Sequence, residues 1–230
     1  MKKNIIINEK TESHWTSATD LMSGLMIIFM FIAISYMISA SQERDRMKGT
    51  AEDWAKNKEM IYNSLLAEFK NDLNKWNADI DSVMLIVRFK EPSVLFSKGG
   101  SNLTPHFKEI LSDFFPRYLH ILKEFKSSIS EIRIEGHTSS EWSKEVSQLD
   151  AFFYNMNLSQ LRTQSVLKYC IESTNNDSLR YWCQNVILAA GFSSSKLIIE
   201  KGVENEIQSR RVDFRVRTNA DEKLNEIIGY

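Results

Sequence analysis

The sequence predicts an α/β fold: a single N-terminal transmembrane helix, a helical linker, and then one α/β sandwich domain. Three observations lead there. Residues 21–40 are apolar and carry no formal charge, and a run of about 20 residues at about 1.5 Å each crosses a bilayer core. Residues 41–80 are polar and free of proline, with large apolar residues returning at helical spacing. Beyond residue 81, strand and helix patterns alternate and close on two strands. With the membrane segment set aside, a chain of 230 residues has room for only one ordinary domain.

Composition narrows the function classes. Eight glycines, three prolines and 43% hydrophobic residues exclude disordered, collagen-like and low-complexity chains. The net charge of -1, from 29 basic and 30 acidic residues, lacks the positive balance that phosphate backbones attract, so nucleic acid is not an expected partner. Two cysteines without C-x-x-C spacing exclude a disulfide-dense scaffold and thioredoxin-like chemistry.

The elements follow in order. A tail, 1–14, precedes the membrane helix at 15–40. A cleaved signal peptide would have a shorter apolar core of about 7 to 15 residues and a small-residue cleavage site; here bulky Tyr36, Met37 and Ile38 sit near the end of the run. Lys2, Lys3 and Lys10 before the span balance Arg44, Arg46 and Lys48 after it, so charge alone leaves the orientation open. Asp20 stands at the start of the apolar run, where a carboxylate is costly unless it faces a protein partner or a water path. Its position also fits a helix N-cap at the interface.

In the linker, 41–80, Trp54, Ile61, Leu65, Phe69, Leu73, Trp76 and Ile80 fall on one helical face. A stripe this narrow must pack on a twin helix, which favours a dimeric stalk, or on the following domain. In the domain, 81–220, patterns predict a strand at 83–89, then a helix opening at Thr104-Pro105 and kinked or restarted at Pro116. A strand at 129–135, a long helix from about 158, a helix at 179–190 and strands at 197–200 and 211–216 complete it, before a C-terminal tail, 221–230.

The string W-T-S-A-T-D-L-M-S-G-L-M-I-I-F-M-F at 15–31 resembles the ion-carrying helix of flagellar stator B subunits and of the related Tol and Exb transducers. The resemblance implies that Asp20 takes up and releases the coupling ion, H+ or Na+, and that the N-terminus is cytoplasmic and the domain periplasmic. Three further strings, I-R-I-E-G-H-T at 132–138, Y-N-M-N-L-S-Q-L-R-T-Q-S-V at 154–166 and Q-S-R-R-V-D-F at 208–214, together resemble the OmpA-like peptidoglycan-binding domain. By that resemblance Arg162 binds a ligand carboxylate and Tyr154, Asn155 and Leu158 shape the pocket on a loop and first helical turn. The stem peptides of peptidoglycan carry carboxylates and a zwitterionic diaminopimelate end, which suit an arginine fork. Amides of a helix starting near Leu158 would add anion attraction; Asn157 as a cap and Leu158 as core are the plainer readings. The family usually has Asp after G-H-T, where this chain has Ser139, so Glu141 or Asp150 must take its place or affinity falls.

No catalytic triad order, metal spacing among His14, His106, His120 and His137, or phosphate loop is present. The chain is therefore expected not to be an enzyme and to need no metal or cofactor; His137 is read as a turn histidine bonded to backbone, and Arg210 and Arg211 as strand-end structure. The short tail, the sequence D-L-M-S-G-L-M-I-I-F-M-F-I-A-I-S-Y-M and the insert N-N-D-S-L-R-Y-W-C-Q-N-V-I-L at 175–188 resemble the B component of Zorya anti-phage defence systems more than flagellar stators. That resemblance implies two copies of this chain within a ring of about five multi-span subunits of the ZorA or MotA kind. A flagellar stator and a passive wall-anchored membrane protein are the alternatives. With the domain exported, where oxidation is permitted, a disulfide is expected between Cys170, near the end of the long helix, and Cys183 in the insert; two buried free thiols are the other possibility.

Overall fold

The computed structural model describes residues 9–90, 95–97, 99–143 and 145–219. Residues 1–8, with Lys2 and Lys3, the tail at 221–230 and the Trp54 side chain lie outside the described residues. The chain divides into two compact units, the first reaching Ala51 and the second beginning at Glu52. Helix α1 runs Glu9–Phe69, with glycine only at 24 and 49 and no proline to interrupt it. Its Trp15–Gly49 stretch is long and apolar enough to cross a membrane, and none of its most apolar window is buried in the protein.

In the second unit the last turns of α1 belong to the core. Ile61, Leu65 and Phe69 are 0% exposed and Trp76 8%, so this part of the linker stripe packs on the chain's own domain. Phe69 lies 5.7 Å from Trp76 and 5.1 Å from Phe114 between ring centroids. Arg117 fastens the same turn: Nε donates to Glu68 Oε1 at 2.6 Å and Nη2 to Asp72 Oδ2 at 2.9 Å, with the guanidinium 4.9 Å over the Phe69 ring. The domain boundary expected at 81 therefore moves back to Glu52.

Strands β1 (Ala78–Asp81), β2 (Ile86–Lys90), β3 (Ile129–His137), β4 (Ile187–Gly191) and β7 (Arg211–Thr218) form one sheet in the order β1-β2-β7-β3-β4. Only β3 and β4 pair in parallel. The strand expected at 83–89 begins only at Ile86, as β2, because Asp81 Oδ1 accepts from the amides of Val83 and Met84 at 2.8 and 2.9 Å and Leu85 turns through φ 50°, which makes 82–85 the turn of a hairpin with β1. Along β7, Val212, Phe214 and Val216 are buried in the core cluster and alternate with Arg211, Asp213, Arg215 and Arg217.

Helix α2 (Pro105–Glu124) opens as expected, Thr104 Oγ1 accepting from Phe107 N at 3.1 Å, but Pro116 lies inside an unbroken helix. The buried set Phe107, Ile110, Leu111, Phe114, Tyr118 and Leu122 holds it against the sheet. Helix α3 (Gln148–Glu172) begins well before residue 158. Ser147 caps it, accepting from Asp150 N at 3.1 Å and donating to Asp150 Oδ2 at 2.6 Å, and nothing in the next two turns breaks the helix. Helix α4 (Asp177–Val186) stops short of 190 because residues 187–191 pair with β3 as β4. The strand expected at 197–200 is β5 (Ile199–Glu200), which pairs with β6 (Val203–Glu204) outside the main sheet, before the short α5 (Glu206–Ser209).

Close packing of α3 on β3 and β4 explains two glycines. A Cβ at Gly136 would come 2.8 Å from the Ser159 carbonyl oxygen, and one at Gly191 2.5 Å from the Gln160 nitrogen. The glycine of the G-H-T string is thus needed for helix contact.

Candidate functional site

Asp20 lies about three turns inside α1. Its own helix supplies and takes up the surrounding backbone groups, so the interfacial N-cap reading fails for this residue. Asp20 is exposed on the apolar helix, one residue after Thr19, whose hydroxyl is turned back onto the Trp15 carbonyl at 2.8 Å.

The second candidate site lies on α3. Tyr154, Leu158 and Arg162 recur at i, i+4 and i+8, making one stripe about 12 Å long. All three are in the helix body, so the expected loop and the free amides at 158–161 do not exist; those amides are spent on helix bonds. Asn155 is buried at 3% exposure and serves as an anchor, its Nδ2 donating to the carbonyls of Ser139 and Glu141 at 3.2 and 3.3 Å. Asn157 is exposed inside the helix and caps nothing.

Arg162 is held so that part of its fork stays available. Nε donates to the Gly100 carbonyl at 2.9 Å and the guanidinium lies 4.9 Å over the Phe96 ring. Among the described residues no carboxylate pairs with it. Burial, then the nearby Arg210 charge, pushes Arg162 down to about 10. A part-buried guanidinium beside a second one, with no counter-ion, is suited to a ligand carboxylate. Arg210 also lines an open pocket of about 560 Å³, together with Glu200, Glu204 and Glu206. The Glu141 charge raises the Glu206 carboxyl, against Arg210. Asp150, one of the two carboxylates expected to stand in for the missing aspartate, is committed to the α3 cap. Ser139 itself is buried.

His137 is not bonded to backbone. It ends β3, stacks on Phe192 at 5.2 Å, and places Nε2 3.6 Å from Glu135 and 3.7 Å from Asp213. Glu135, His137 and Asp213 each offer an atom within 4.8 Å of the others, a spacing compatible with a metal ion. The arginines around them decide against it. Arg88 and Arg211 both donate to Asp213 at 3.1 Å, and Arg215 and Arg133 lie 3.7 and 3.9 Å from Glu135. A cation would have to displace guanidiniums that already compensate both carboxylates, so the cluster is a buried ion-pair network joining β2, β7 and β3. Arg211 is structural, as expected, also donating to the Lys196 and Ser209 carbonyls at 3.1 Å. Arg210 is structural as well, its amide donating to the Glu206 carbonyl at 3.1 Å at the end of α5, and it also lines the open pocket.

Cys170 and Cys183 are free thiols, both buried, in place of the expected disulfide. Each fills a position in the hydrophobic core. Burial pushes Cys170 well up and Cys183 up to about 11.

Comparison with known proteins bears on the family and the fold. Residues 95–211 match the OmpA family. The Zorya protein ZorB of Escherichia coli strain Crooks is 44% identical over 227 residues, 98% of this chain and 97% of that one. A crystal structure of a MotB-like protein from Desulfovibrio vulgaris superposes with a TM-score of 0.52 at 20% identity, covering 72% of this chain and 94% of that one, and supports the fold.

Proposed function

The chain belongs to the family of the Zorya protein ZorB and to the OmpA family, and from that premise we propose that it is a stator B-type subunit of an ion-driven inner-membrane motor, anchored to peptidoglycan and acting in anti-phage defence. It is a binding and transducing subunit, not an enzyme. The observation that carries the motor half is Asp20, an ionisable side chain inside a membrane-length apolar helix where no cap role explains it. The anchor half is supported by the Tyr154, Leu158 and Arg162 stripe with its uncompensated guanidinium. One helix with one carboxylate leaves the other walls of an ion path unbuilt, so a multi-span partner of the ZorA or MotA kind completes it, five subunits around two copies of this chain. The helix crosses the inner membrane once, with the N-terminus in the cytoplasm and the domain in the periplasm. Protons or sodium ions are the coupling ion.

In such a machine each charge that crosses gains about 2.3 kcal/mol per 100 mV, and the wall contact keeps this protein still while the ring turns. Asp20→Asn keeps the shape of the side chain and removes its charge. It is expected to abolish protection against phage while co-purification with the partner ring continues. Full protection by that variant in cells would overturn the motor reading. The 44% identity to a Zorya protein favours defence over motility.

A further inference from the structure

Trp142 and Tyr154 stand side by side at the surface, their ring centroids 5.4 Å apart and their planes at 44°. They keep 43% and 49% of their surface exposed, and Phe153 and Leu149 on the same helix as Tyr154 are exposed at 59% and 67%. The residues leading into Trp142 are pinned by hydrogen bonds. Asn155 holds the Ser139 and Glu141 carbonyls, Ser140 N donates to Glu204 Oε1 at 3.0 Å, and Thr138 N donates to the Ser193 carbonyl at 3.0 Å. Hydrogen bonds therefore fix the approach to Trp142, whose large apolar side chain is left partly in water. Exposed aromatic area of this kind marks a contact surface.

The chemistry of the patch selects the ligand. Two aromatic faces with polar tips, an indole N–H and a phenol O–H, match a ring that is apolar on its C–H faces and polar at its rim. A pyranose has that shape. It is also uncharged, which suits the nearby Glu141, Glu204 and Glu206. Tyr154 begins the stripe that ends at Arg162, about 12 Å away along the helix. An extended peptide of three residues spans about 10 Å, so a sugar on the rings and a carboxylate at Arg162 fit one glycopeptide.

We propose that Trp142 and Tyr154 form a platform for the glycan strand of peptidoglycan, seating an N-acetylated amino sugar while Arg162 takes the carboxylate of the attached stem peptide. This rests on the wall-binding reading above and adds a residue, Trp142, that lies outside the three motif strings.

The test uses the full chain in detergent micelles and three probes: intact sacculi, neutral β-1,4-linked N-acetylglucosamine oligomers as the glycan strand, and the free stem tripeptide ending in diaminopimelate. Trp142→Ala is expected to weaken glycan-strand binding about tenfold and to leave tripeptide binding unchanged, with Trp142→Phe restoring most of it. Arg162→Ala is expected to do the reverse. Equal glycan-strand binding by the parent and Trp142→Ala would overturn the platform, as would a parent that binds the tripeptide but no glycan strand. A change in oligomeric mass on Trp142→Ala, with glycan binding intact, would also overturn it and assign the patch to a protein contact. A parent that binds no sacculi would overturn the wall reading itself.

Discussion

Asp213 receives guanidiniums from two strands, Arg88 of β2 and Arg211 of its own β7, and is only 1% exposed. Removing the carboxylate leaves two part-buried cations without their main partner, which typically costs about 3 to 5 kcal/mol. Asp213→Ala is thus expected to lower the thermal midpoint of the folded chain sharply, with Asp213→Asn in between. A midpoint within a degree or two of the parent's would show that solvent, not Asp213, balances these arginines. No sequence pattern reveals this network, because Glu135, His137 and Asp213 meet only when β7 pairs with β3. Asp20 and Arg162 each stand in a local string, but the Gly100 and Phe96 partners that hold Arg162 come from far off in sequence. Asn155 belongs to the predicted region but anchors a loop rather than lining a pocket. A buried amide aimed at carbonyls 14 to 16 residues away in sequence is invisible to a motif.

Among the elements, a helix start with a cap and a proline is legible at Thr104, whereas α3 starts about ten residues before the expected position. The S-Q-L-D cap at 147–150 is masked by the stronger-looking string at 154–166. Strand β4 escapes detection for another reason: an apolar run of V-I-L-A-A directly after a helix has no period that separates the two states. The last turns of α1 look like linker in sequence, and their stripe is equally compatible with packing on the domain. Phe69, at 0% exposure and in ring contact with Trp76 and Phe114, makes this testable. Phe69→Ala is expected to destabilise the domain by about 3 to 5 kcal/mol, as deletion of a core aromatic does, and to shift Trp76 fluorescence toward that of an exposed indole. A variant as stable as the parent would return these turns to the linker.

For the whole molecule, the proposed function divides the labour between two units of one chain: Asp20 in the first handles the ion, and Arg162 in the second grips the wall. Neither has value alone, since ion flow past an unanchored subunit turns the subunit as readily as the ring, and an anchored subunit without the carboxylate moves nothing. Effects of substitutions that interrupt one series of steps do not add, whereas effects at distant sites with independent roles usually do. Asp20→Asn is expected to remove phage protection while full-length protein still sediments with sacculi. Arg162→Ala is expected to reduce both sedimentation and protection while the partner ring still co-purifies. The double variant should then protect no less than Asp20→Asn alone, measured as phage plating efficiency at matched expression. If Arg162→Ala loses sacculus binding yet protects fully, wall anchorage is dispensable and the two units are not steps of one mechanism. If Asp20→Asn itself loses the sacculus, the carboxylate is acting on the fold or assembly of the chain, and the ion-carrying role is wrong.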